Sequence, residues 1–440
     1  MTRRPTSIRT VVGLAAALLA AAVQAPRAQA PRAQQNGSAA PRADAALAPA
    51  KLAQLTERLK KYVADGLLPG SVTIVIRDGR VAYLQAIGLR DRESSAPMQT
   101  DSIFRIASQS KALVSVGIMQ LQEEGRLRIS DPVGRYLPEF AKTSVAVAKP
   151  DGGGYDLVAA RRPITIRDLL THTAGLGYGT GVAADQWKAA GIQGWYFADR
   201  DEPIAATVAR MASLPFAAQP GERFVYGYGT DVLGVVIEKV SGQPLDVFIR
   251  ERITAPLRMN DTHFYLPRDK ANRLTAVYSR TASGLERAPA TGGMTSQGAY
   301  VDGPRKSFSG GAGLLSTASD YARFLQALLN GGELDGVRIL GRKSVELMTA
   351  DHLRGFDYQP GVGFGLGFSV LKQVGQRGLP GSVGEWGWGG AYHSTYWVDP
   401  VERLVVVHLT QVIPAGDLDD YETVRAMIYA ALPNHFPAMQ

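Results

Sequence analysis

The chain of 440 residues contains no cysteine. Disulfide bonds, a thiol nucleophile, cysteine-ligated zinc and a lipid-modified cysteine at the N-terminus are therefore excluded. Its six histidines are scattered without the spacing of a metal site, and there is no His-Glu-x-x-His motif. The phosphate-binding loop, the dinucleotide fingerprint and the Gly-x-Ser-x-Gly elbow are missing as well. We therefore expect neither a metal nor a cofactor.

The net positive charge of the body of the chain is small, although the formal net charge of the whole chain is +8. Residues 1–48 contain six arginines and one aspartate, which leaves a net charge of +3 for residues 49–440. No block of lysine and arginine occurs there, so nothing in the charge pattern favours a nucleic-acid partner. No apolar run reaches the roughly 18 uninterrupted residues typical of a membrane-spanning helix, and we expect no stable membrane span.

The N-terminus has the pattern of a bacterial export signal. Arg3, Arg4 and Arg9 precede an alanine- and leucine-rich run at residues 11–23, which has the length of a signal-peptide core. We predict a signal peptide at residues 1–25, with an ambiguous cleavage site, and hence a periplasmic or secreted protein. The alternative interpretation of this run is a buried N-terminal helix.

The rest of the chain divides into a linker and one domain. Residues 26–48 are rich in proline and alanine and predict a disordered linker, whereas residues 49–440 are predicted to form a single domain. Strand patterns near both ends of this domain predict hairpins that share one sheet, with helical material inserted between them. The fold class is therefore α/β (α+β), an antiparallel sheet flanked by helices with an inserted helical subdomain. The predicted strands are residues 71–77, 80–87, 394–398 and 403–410; the predicted helices are 51–64, 108–124, 164–170, 231–240, 316–329 and 419–432; residues 176–220 are predicted to be irregular.

Ser108 and Lys111 carry the strongest chemical signal. Their spacing places both side chains on one face of the predicted helix, where the lysine can help to remove the serine proton. A position at the start of a helix also favours negative charge near the Ser108 N–H. The alternative is that Ser108 caps the helix and Lys111 is a solvated first-turn residue. A lysine in an apolar helix nevertheless needs a reason, because burying an unpaired ammonium is costly.

Two further segments could complete a site around this pair. Tyr226 directly precedes a predicted helix, and beside a lysine ammonium its phenolate could accept the serine proton. The alternative is a core aromatic residue. Residues 386–391 read Trp-Gly-Trp-Gly-Gly-Ala, and their glycines would let the backbone approach a ligand and aim an N–H at it. The alternative there is a tight turn with two packed tryptophans.

Six phrases of the sequence jointly carry a family resemblance, and they occupy residues 104–111, 131–133, 169–176, 220–226, 309–317 and 388–390. With these phrases the chain resembles the serine β-lactamase and penicillin-binding-protein superfamily, on its class C-like branch. Within that branch it is most similar to family VIII carboxylesterases and their transacylase relatives. The resemblance extends from about residue 55 to residue 435. It implies the β-lactamase/transpeptidase-like form of the predicted fold.

The resemblance also implies a role for each candidate residue. Ser108 would be the acylated nucleophile, Lys111 would tune its proton transfer, and Tyr226 would occupy the position of the base. The backbone N–H groups of Ser108 and Ala391 would form the oxyanion hole. Water, an alcohol or an amine would then resolve the acyl-enzyme. His172 matches a family phrase that is mainly structural, so we leave it out of the catalytic set.

The expected substrate pocket departs from the penicillin-recognising pattern at two positions. Tyr228 stands where that pattern has an asparagine that contacts a substrate amide. The phrase Trp388-Gly389-Gly390 stands where it has Lys-Thr-Gly, whose lysine holds a substrate carboxylate. Both changes favour neutral esters, and a pocket walled by Trp386 and Trp388 would favour apolar acyl groups.

We therefore predict an exported serine hydrolase that cleaves small acyl esters through a Ser108 acyl-enzyme. Alternatives with the same machinery are a β-lactamase, a D-amino-acid peptidase or a transacylase, and a third interpretation is a non-catalytic protein that binds peptidoglycan. The partner would be a small-molecule ester or amide. Residues 176–220 and 265–305 are expected to line the pocket, His393 has no assigned role, and the sequence predicts no oligomeric state.

Overall fold

The computed structural model describes residues 46–353 and 355–434. The predicted signal peptide and residues 26–45 of the predicted linker lie outside the described residues. The last three linker residues belong to the domain, because Leu47 is buried and the Ala48 N–H donates to a backbone carbonyl just past the C-terminal helix at 2.8 Å. The domain therefore begins slightly earlier than predicted.

One antiparallel sheet forms the centre of the domain. The strand near its N-terminus pairs with the strand near its C-terminus, with Val75 opposite Val406, so the prediction that the two hairpins share a sheet is confirmed. The strands are β1 (Gly70–Arg77), β2 (Arg80–Asp91), β3 (Ala96–Pro97), β4 (Val362–Phe364), β5 (Ser369–Leu371), β6 (Trp386–Gly390), β7 (Ser394–Asp399) and β8 (Leu404–Leu409). Their order across the sheet is β4-β5-β6-β7-β8-β1-β2-β3.

Successive apolar residues of the central strands point to opposite faces of the sheet, so both faces are covered by apolar side chains. In β1, Val72 and Ile74 pack into the larger core, whereas Val75 packs into a smaller core on the opposite face. Val405 and Val406 of β8 divide in the same way. This period of two is what a strand buried on both faces requires.

Helices pack on both faces. The first and last helices contact each other over the smaller core, and the helix that follows Ser108 lies within the larger core. Among the described residues no helix is long and apolar enough to cross a membrane. The helices are α1 (Pro49–Ala64), α2 (Ser110–Glu123), α3 (Ile166–Leu170), α4 (Ala184–Ala189), α5 (Ile204–Met211), α6 (Gly229–Ser241), α7 (Leu245–Ile249), α8 (Ala318–Leu329), α9 (Arg342–Met348), α10 (Val374–Arg377) and α11 (Asp420–Tyr429).

Short two-stranded pairs complete the structure outside the main sheet. One of them, Phe104–Arg105 with Leu315–Ser316, ties the segment before Ser108 to the segment before α8. The other three pairs lie in the inserted regions and near the edges of the main sheet. They are Ser144–Ala148 with Tyr155–Ala159, Tyr278–Thr281 with Gly284–Arg287, and Glu333–Leu334 with Val337–Arg338.

The expectation that residues 176–220 are irregular is wrong, because α4 and α5 lie within them. In α5 the buried residues Ile204, Val208 and Met211 recur at helical spacing, which is the pattern of an amphipathic helix. The surrounding glycines and aromatic residues obscured this pattern in the sequence. The Thr317 side chain caps the N-terminus of α8, because it accepts the Asp320 N–H at 3.1 Å.

Candidate active site

Ser108 lies in a short 3₁₀ turn, Ala107–Gln109, directly before α2. The turn is fixed from outside, since the Tyr321 hydroxyl donates to the Gln109 carbonyl at 2.8 Å. Ala107 has a φ of +43°, a left-handed conformation that costs a non-glycine residue about 1–2 kcal/mol. Strain of this kind persists where the surrounding structure enforces it, and it clusters at functional sites.

Lys111 is buried one turn further along and has three acceptors. Its Nζ donates to Ser108 Oγ at 3.2 Å, to the Tyr178 hydroxyl at 3.1 Å and to the Gly311 carbonyl at 2.8 Å. An ammonium has three hydrogens to donate, so these partners satisfy it in a buried position. These three hydrogen bonds explain how a lysine can be buried in an otherwise apolar helix.

Asp231 holds the loop that contacts Lys111. This carboxylate is buried at the start of α6, and its Oδ1 accepts the Ser309 hydroxyl at 2.6 Å and the Gly311 N–H at 3.1 Å. Burial raises the pKa of Asp231, while these hydrogen bonds and the Lys111 charge oppose the rise. A Cβ on Gly311 would lie 2.4 Å from Asp231 Oδ2, so only glycine fits this contact.

Tyr226 lies beside the lysine but is hydrogen-bonded elsewhere. Lys111 Nζ is 4.6 Å from the centroid of the Tyr226 ring, and the Tyr226 hydroxyl oxygen accepts Trp388 Nε1–H at 2.9 Å. A nearby cation and an N–H donor both favour negative charge on a phenol oxygen. The structure therefore brings Ser108, Lys111 and Tyr226 into one cluster, with Trp388 as its fourth member.

Tyr178 is the residue that the sequence reasoning missed. Its hydroxyl is an acceptor for Lys111, and its ring lies 5.6 Å from that of Tyr226. Burial of the hydroxyl raises its pKa well above the usual range, and the neighbouring Tyr226 and Asp231 add to the rise. The two tyrosine segments approach closely because Gly227 has no side chain, since a Cβ there would lie 2.3 Å from a backbone carbonyl. The only sequence signal was a tyrosine between two glycines, directly after a family phrase.

Two expected pocket residues lie in the core instead. Tyr228 has no exposed surface, because it stacks on Trp187 at 5.7 Å and meets the edge of Tyr178 at 4.9 Å. Trp386 is 2% exposed and packs on Phe368 at 4.6 Å. Both are therefore buried core residues, and the expectation that they form the pocket surface is wrong.

The phrase that contains Trp388, Gly389 and Gly390 forms most of β6, which ends beside the Ser108 turn. A Cβ on Gly390 would lie 2.6 Å from the Ile106 carbonyl oxygen, so the two backbones are in direct contact. Ala391 packs in a small apolar cluster that also contains Ala107. The expected oxyanion donor thus belongs to the turn that packs against the residue preceding Ser108.

His172 is buried against the aromatic part of the site. Its ring lies 4.6 Å from the Tyr226 ring and 5.5 Å from Phe364. Burial lowers the pKa of His172 well below its usual value, and the Lys111 charge lowers it further. The imidazole is therefore neutral near pH 7 and packs as an apolar ring, in agreement with the structural role expected for it.

The two segments expected to line the pocket each border a cavity. An apolar cavity of about 720 Å³ adjoins both neighbours of Tyr178, and a more polar cavity of about 550 Å³ adjoins Arg105. No group of three or more acidic and histidine side chains is arranged to hold a metal within residues 46–353 and 355–434. The cavities are lined mainly by residues 145–148, 177, 179–183 and 215–219 in the first, and by 271, 274–276, 290–292, 296–299, 301 and 302 in the second.

Comparison with known proteins shows which proteins the chain is similar to. A protein-family model described as Beta-lactamase matches residues 55–429. Protein Rv1367c of Mycobacterium tuberculosis (strain H37Rv) is 37% identical over 374 residues, which span 82% of this chain and 90% of that protein. Esterase EstB of Burkholderia gladioli is 32% identical over 384 residues, which span 83% and 91%. The solved structure of EstCE1, described as a hydrolase with promiscuous acyltransferase activity, has a TM-score of 0.76 at 29% identity and covers 86% of this chain and 99% of its own.

Proposed function

Because the chain belongs to the beta-lactamase family and is a serine hydrolase, we propose that it cleaves small, neutral acyl esters through an acyl-enzyme on Ser108. The observation that carries this proposal is the buried Lys111, whose ammonium donates to Ser108 Oγ at 3.2 Å. A lysine in that position stabilises the serine oxygen as it loses its proton. Tyr226 lies against the same ammonium and is the proposed base.

The proposed reaction has two balanced halves. In the first, Ser108 Oγ attacks the ester carbonyl and its proton passes to the Tyr226 oxygen, which acts as a phenolate and becomes a neutral phenol. The proton then moves to the departing alkoxide, which leaves as an alcohol. In the second, water attacks the acyl carbon while Tyr226 takes one of its protons, and the proton returns to Ser108 as the carboxylic acid leaves. Lys111 stabilises Ser108 Oγ through their hydrogen bond while the proton moves.

The tetrahedral intermediate carries a negative charge that needs N–H donors. The Ser108 N–H lies in the turn directly before α2, near the helix N-terminus, where the helix dipole favours an anion. The Ala391 N–H is the proposed second donor, supported by the contact between the end of β6 and the segment before Ser108. Two backbone donors of this kind are the usual means of stabilising an oxyanion in acyl transfer.

The aromatic surroundings of Trp388 support an apolar, uncharged substrate. The Trp388 ring packs at 5.3 Å from Tyr358 and at 5.2 Å from Phe364, and its indole N–H is committed to Tyr226. Trp388 thus stands where the penicillin-recognising pattern has a lysine, so this position offers no ammonium to hold a substrate carboxylate. Neutral esters with short apolar acyl groups therefore suit the site better than penicillins or D-alanyl peptides.

The test is a comparison of initial rates on p-nitrophenyl butyrate and nitrocefin, with Ser108→Ala as the control. We expect rapid ester hydrolysis that is abolished in the variant, together with slow turnover of nitrocefin. Faster turnover of nitrocefin than of the ester would instead assign the protein to the β-lactamases. Equal ester hydrolysis by the variant would refute the role of Ser108.

We also propose that the protein is exported, with a signal peptide at residues 1–25 and a disordered linker before the domain. The three arginines followed by an apolar run support this proposal. Expression of the full chain in a bacterial host, followed by cell fractionation and N-terminal sequencing, tests it. A cytoplasmic product that still begins at the original N-terminus would contradict export.

A further inference from the structure

The turn between β6 and β7 contains a residue in an unfavourable backbone conformation. The turn is closed by the His393 N–H, which donates to the Gly390 carbonyl at 3.1 Å, and His393 has a φ of +59°. Hairpin loops commonly place glycine at such a left-handed position, because the conformation costs other residues about 1–2 kcal/mol. Because residue 393 is a histidine, the folded protein includes this unfavourable conformational free energy, and the contacts of the His393 side chain have to offset it.

The His393 side chain is anchored to the C-terminal helix. Its Nε2 donates to Asp420 Oδ1 at 2.5 Å, and its ring stacks on Tyr421 with 4.0 Å between the ring centroids. Asp420 Oδ2 accepts His408 Nε2–H at 2.9 Å, and His408 Nδ1 lies 2.7 Å from Thr73 Oγ1. The turn is therefore linked through one carboxylate to α11 and to the central strands β8 and β1.

The carboxylate at the centre of this network is ionised. Asp420 has no exposed surface, and burial alone would disfavour its charge. The hydrogen bonds from His393 and His408 outweigh that effect and hold the pKa of the carboxyl below its usual range. Charge-assisted hydrogen bonds are shorter and stronger than neutral ones, so this anchor is rigid.

The anchored turn carries the proposed oxyanion donor. Ala391 and Tyr392 lie between Gly390 and His393, and both pack in the apolar cluster that contains Ala107. Gly390 is fixed against the backbone of the Ser108 segment. One end of the turn is thus held by the nucleophile segment and the other by Asp420, with the Ala391 N–H between them.

We propose that His393 is a positioning residue for the oxyanion hole, which holds the β6–β7 turn so that the Ala391 N–H points at the developing oxyanion. This inference rests on the proposed function, in which Ser108 is acylated and Ala391 is a donor. A displaced donor stabilises the transition state less but barely alters binding of the neutral ester. Loss of the anchor therefore lowers kcat and leaves KM nearly unchanged.

The experiment compares His393→Gly with Arg403→Gly in the full-length protein. Arg403 has a φ of +50° in the turn at the opposite end of β7, and its side chain pairs with Asp78 at 2.7 Å, so both variants relieve the same strain. We expect kcat on p-nitrophenyl butyrate to fall about tenfold in His393→Gly, with KM changed less than twofold. Arg403→Gly should retain the kcat of the wild type. His393→Gln, which places an N–H donor near the position of Nε2, should restore part of the lost kcat.

The outcomes separate this inference from the proposed function. A wild-type kcat in His393→Gly, even with a lower melting temperature, would show that the histidine is only structural. An equal loss of kcat in Arg403→Gly, or a rise in KM alone, would also overturn the inference. If the wild type hydrolyses the ester no faster than Ser108→Ala, the proposed function fails and the positioning role fails with it.

Discussion

Tyr178 and Tyr226 both contact Lys111, and replacing each with phenylalanine should separate their roles. Tyr178 provides one of the three acceptors for the Lys111 ammonium. Its raised pKa keeps it a neutral phenol, which orients the lysine but does not accept the serine proton. Tyr226 has no hydrogen bond to Lys111 in the structure, but its ring faces the ammonium and its oxygen faces Trp388 Nε1.

The magnitudes expected for the two variants differ. Tyr178→Phe leaves one N–H of a buried ammonium without an acceptor, and a hydrogen bond to a charged group contributes about 1.5–3 kcal/mol. We expect the free energy of unfolding to fall by about that amount. We expect a smaller effect on catalysis, a fall in kcat of about tenfold, which corresponds to about 1.4 kcal/mol of lost transition-state stabilisation from a less well oriented Lys111. Tyr226→Phe removes the base, and general-base catalysis contributes about 10²–10⁴-fold to the rate.

The assay is kcat and KM on p-nitrophenyl butyrate for both variants, together with urea unfolding monitored by tryptophan fluorescence. We expect Tyr226→Phe to be the slower enzyme and Tyr178→Phe to be the less stable protein. A Tyr178→Phe variant as inactive as Ser108→Ala, alongside an active Tyr226→Phe variant, would refute the assignment and make Tyr178 the base.

Two further predictions concern the sheet beside the site. Gly390→Ala would place a Cβ 2.6 Å from the Ile106 carbonyl oxygen, so it should lower the free energy of unfolding by about 1–3 kcal/mol and abolish most of the esterase activity. In the control variant Gly389→Ala the nearest atom to the Cβ is 3.1 Å away, so both losses should be smaller. Equal losses for the two variants in rate assays and thermal melts would contradict this prediction. Asp420→Asn should lower the free energy of unfolding by about 1–3 kcal/mol at pH 7. Because the folded-state pKa of Asp420 is depressed, its contribution is present above the unfolded pKa of about 4 and is lost as pH falls towards the folded pKa. The gap between variant and wild type in urea titrations should therefore narrow below about pH 4, and a gap that widened there would contradict the network.

The main sheet could be predicted because its signals are local. Asp78 and Gly79 mark the turn of the first hairpin, where both residues have a positive φ, and alternating apolar residues mark the strands on either side. The pairing of β1 with β8 joins residues more than 300 positions apart. The strand patterns predicted that the two hairpins share one sheet, but not which of their strands pair.

The hydrogen-bond partners of Lys111 could be predicted from the sequence only in part. Its spacing from Ser108 follows from helix geometry, so that pair could be predicted. Tyr178 and Gly311 are 67 and 200 residues away from it, and no local pattern indicates that a hydroxyl and a carbonyl from those loops meet one ammonium. The need for partners was predictable from the cost of burial, but their identities were not.

The exposed fraction of a side chain could not be predicted from the sequence either. Trp386 and Trp388 share one face of β6 because side chains in a strand alternate. Trp386 is nevertheless covered by Phe368, whereas Trp388 remains partly exposed beside Tyr226. Which of two tryptophans on one face reaches the site depends on the neighbouring strand, and periodicity does not report that.

Mapping of the covalent adduct formed by a fluorophosphonate shows whether Ser108 is the nucleophile. We expect one adduct per chain, on the peptide that contains Ser108, and no labelling of Ser108→Ala. The adduct should block hydrolysis of p-nitrophenyl butyrate in proportion to its occupancy. An adduct on a different residue, or full esterase activity in fully labelled protein, would contradict the claim that Ser108 is the nucleophile.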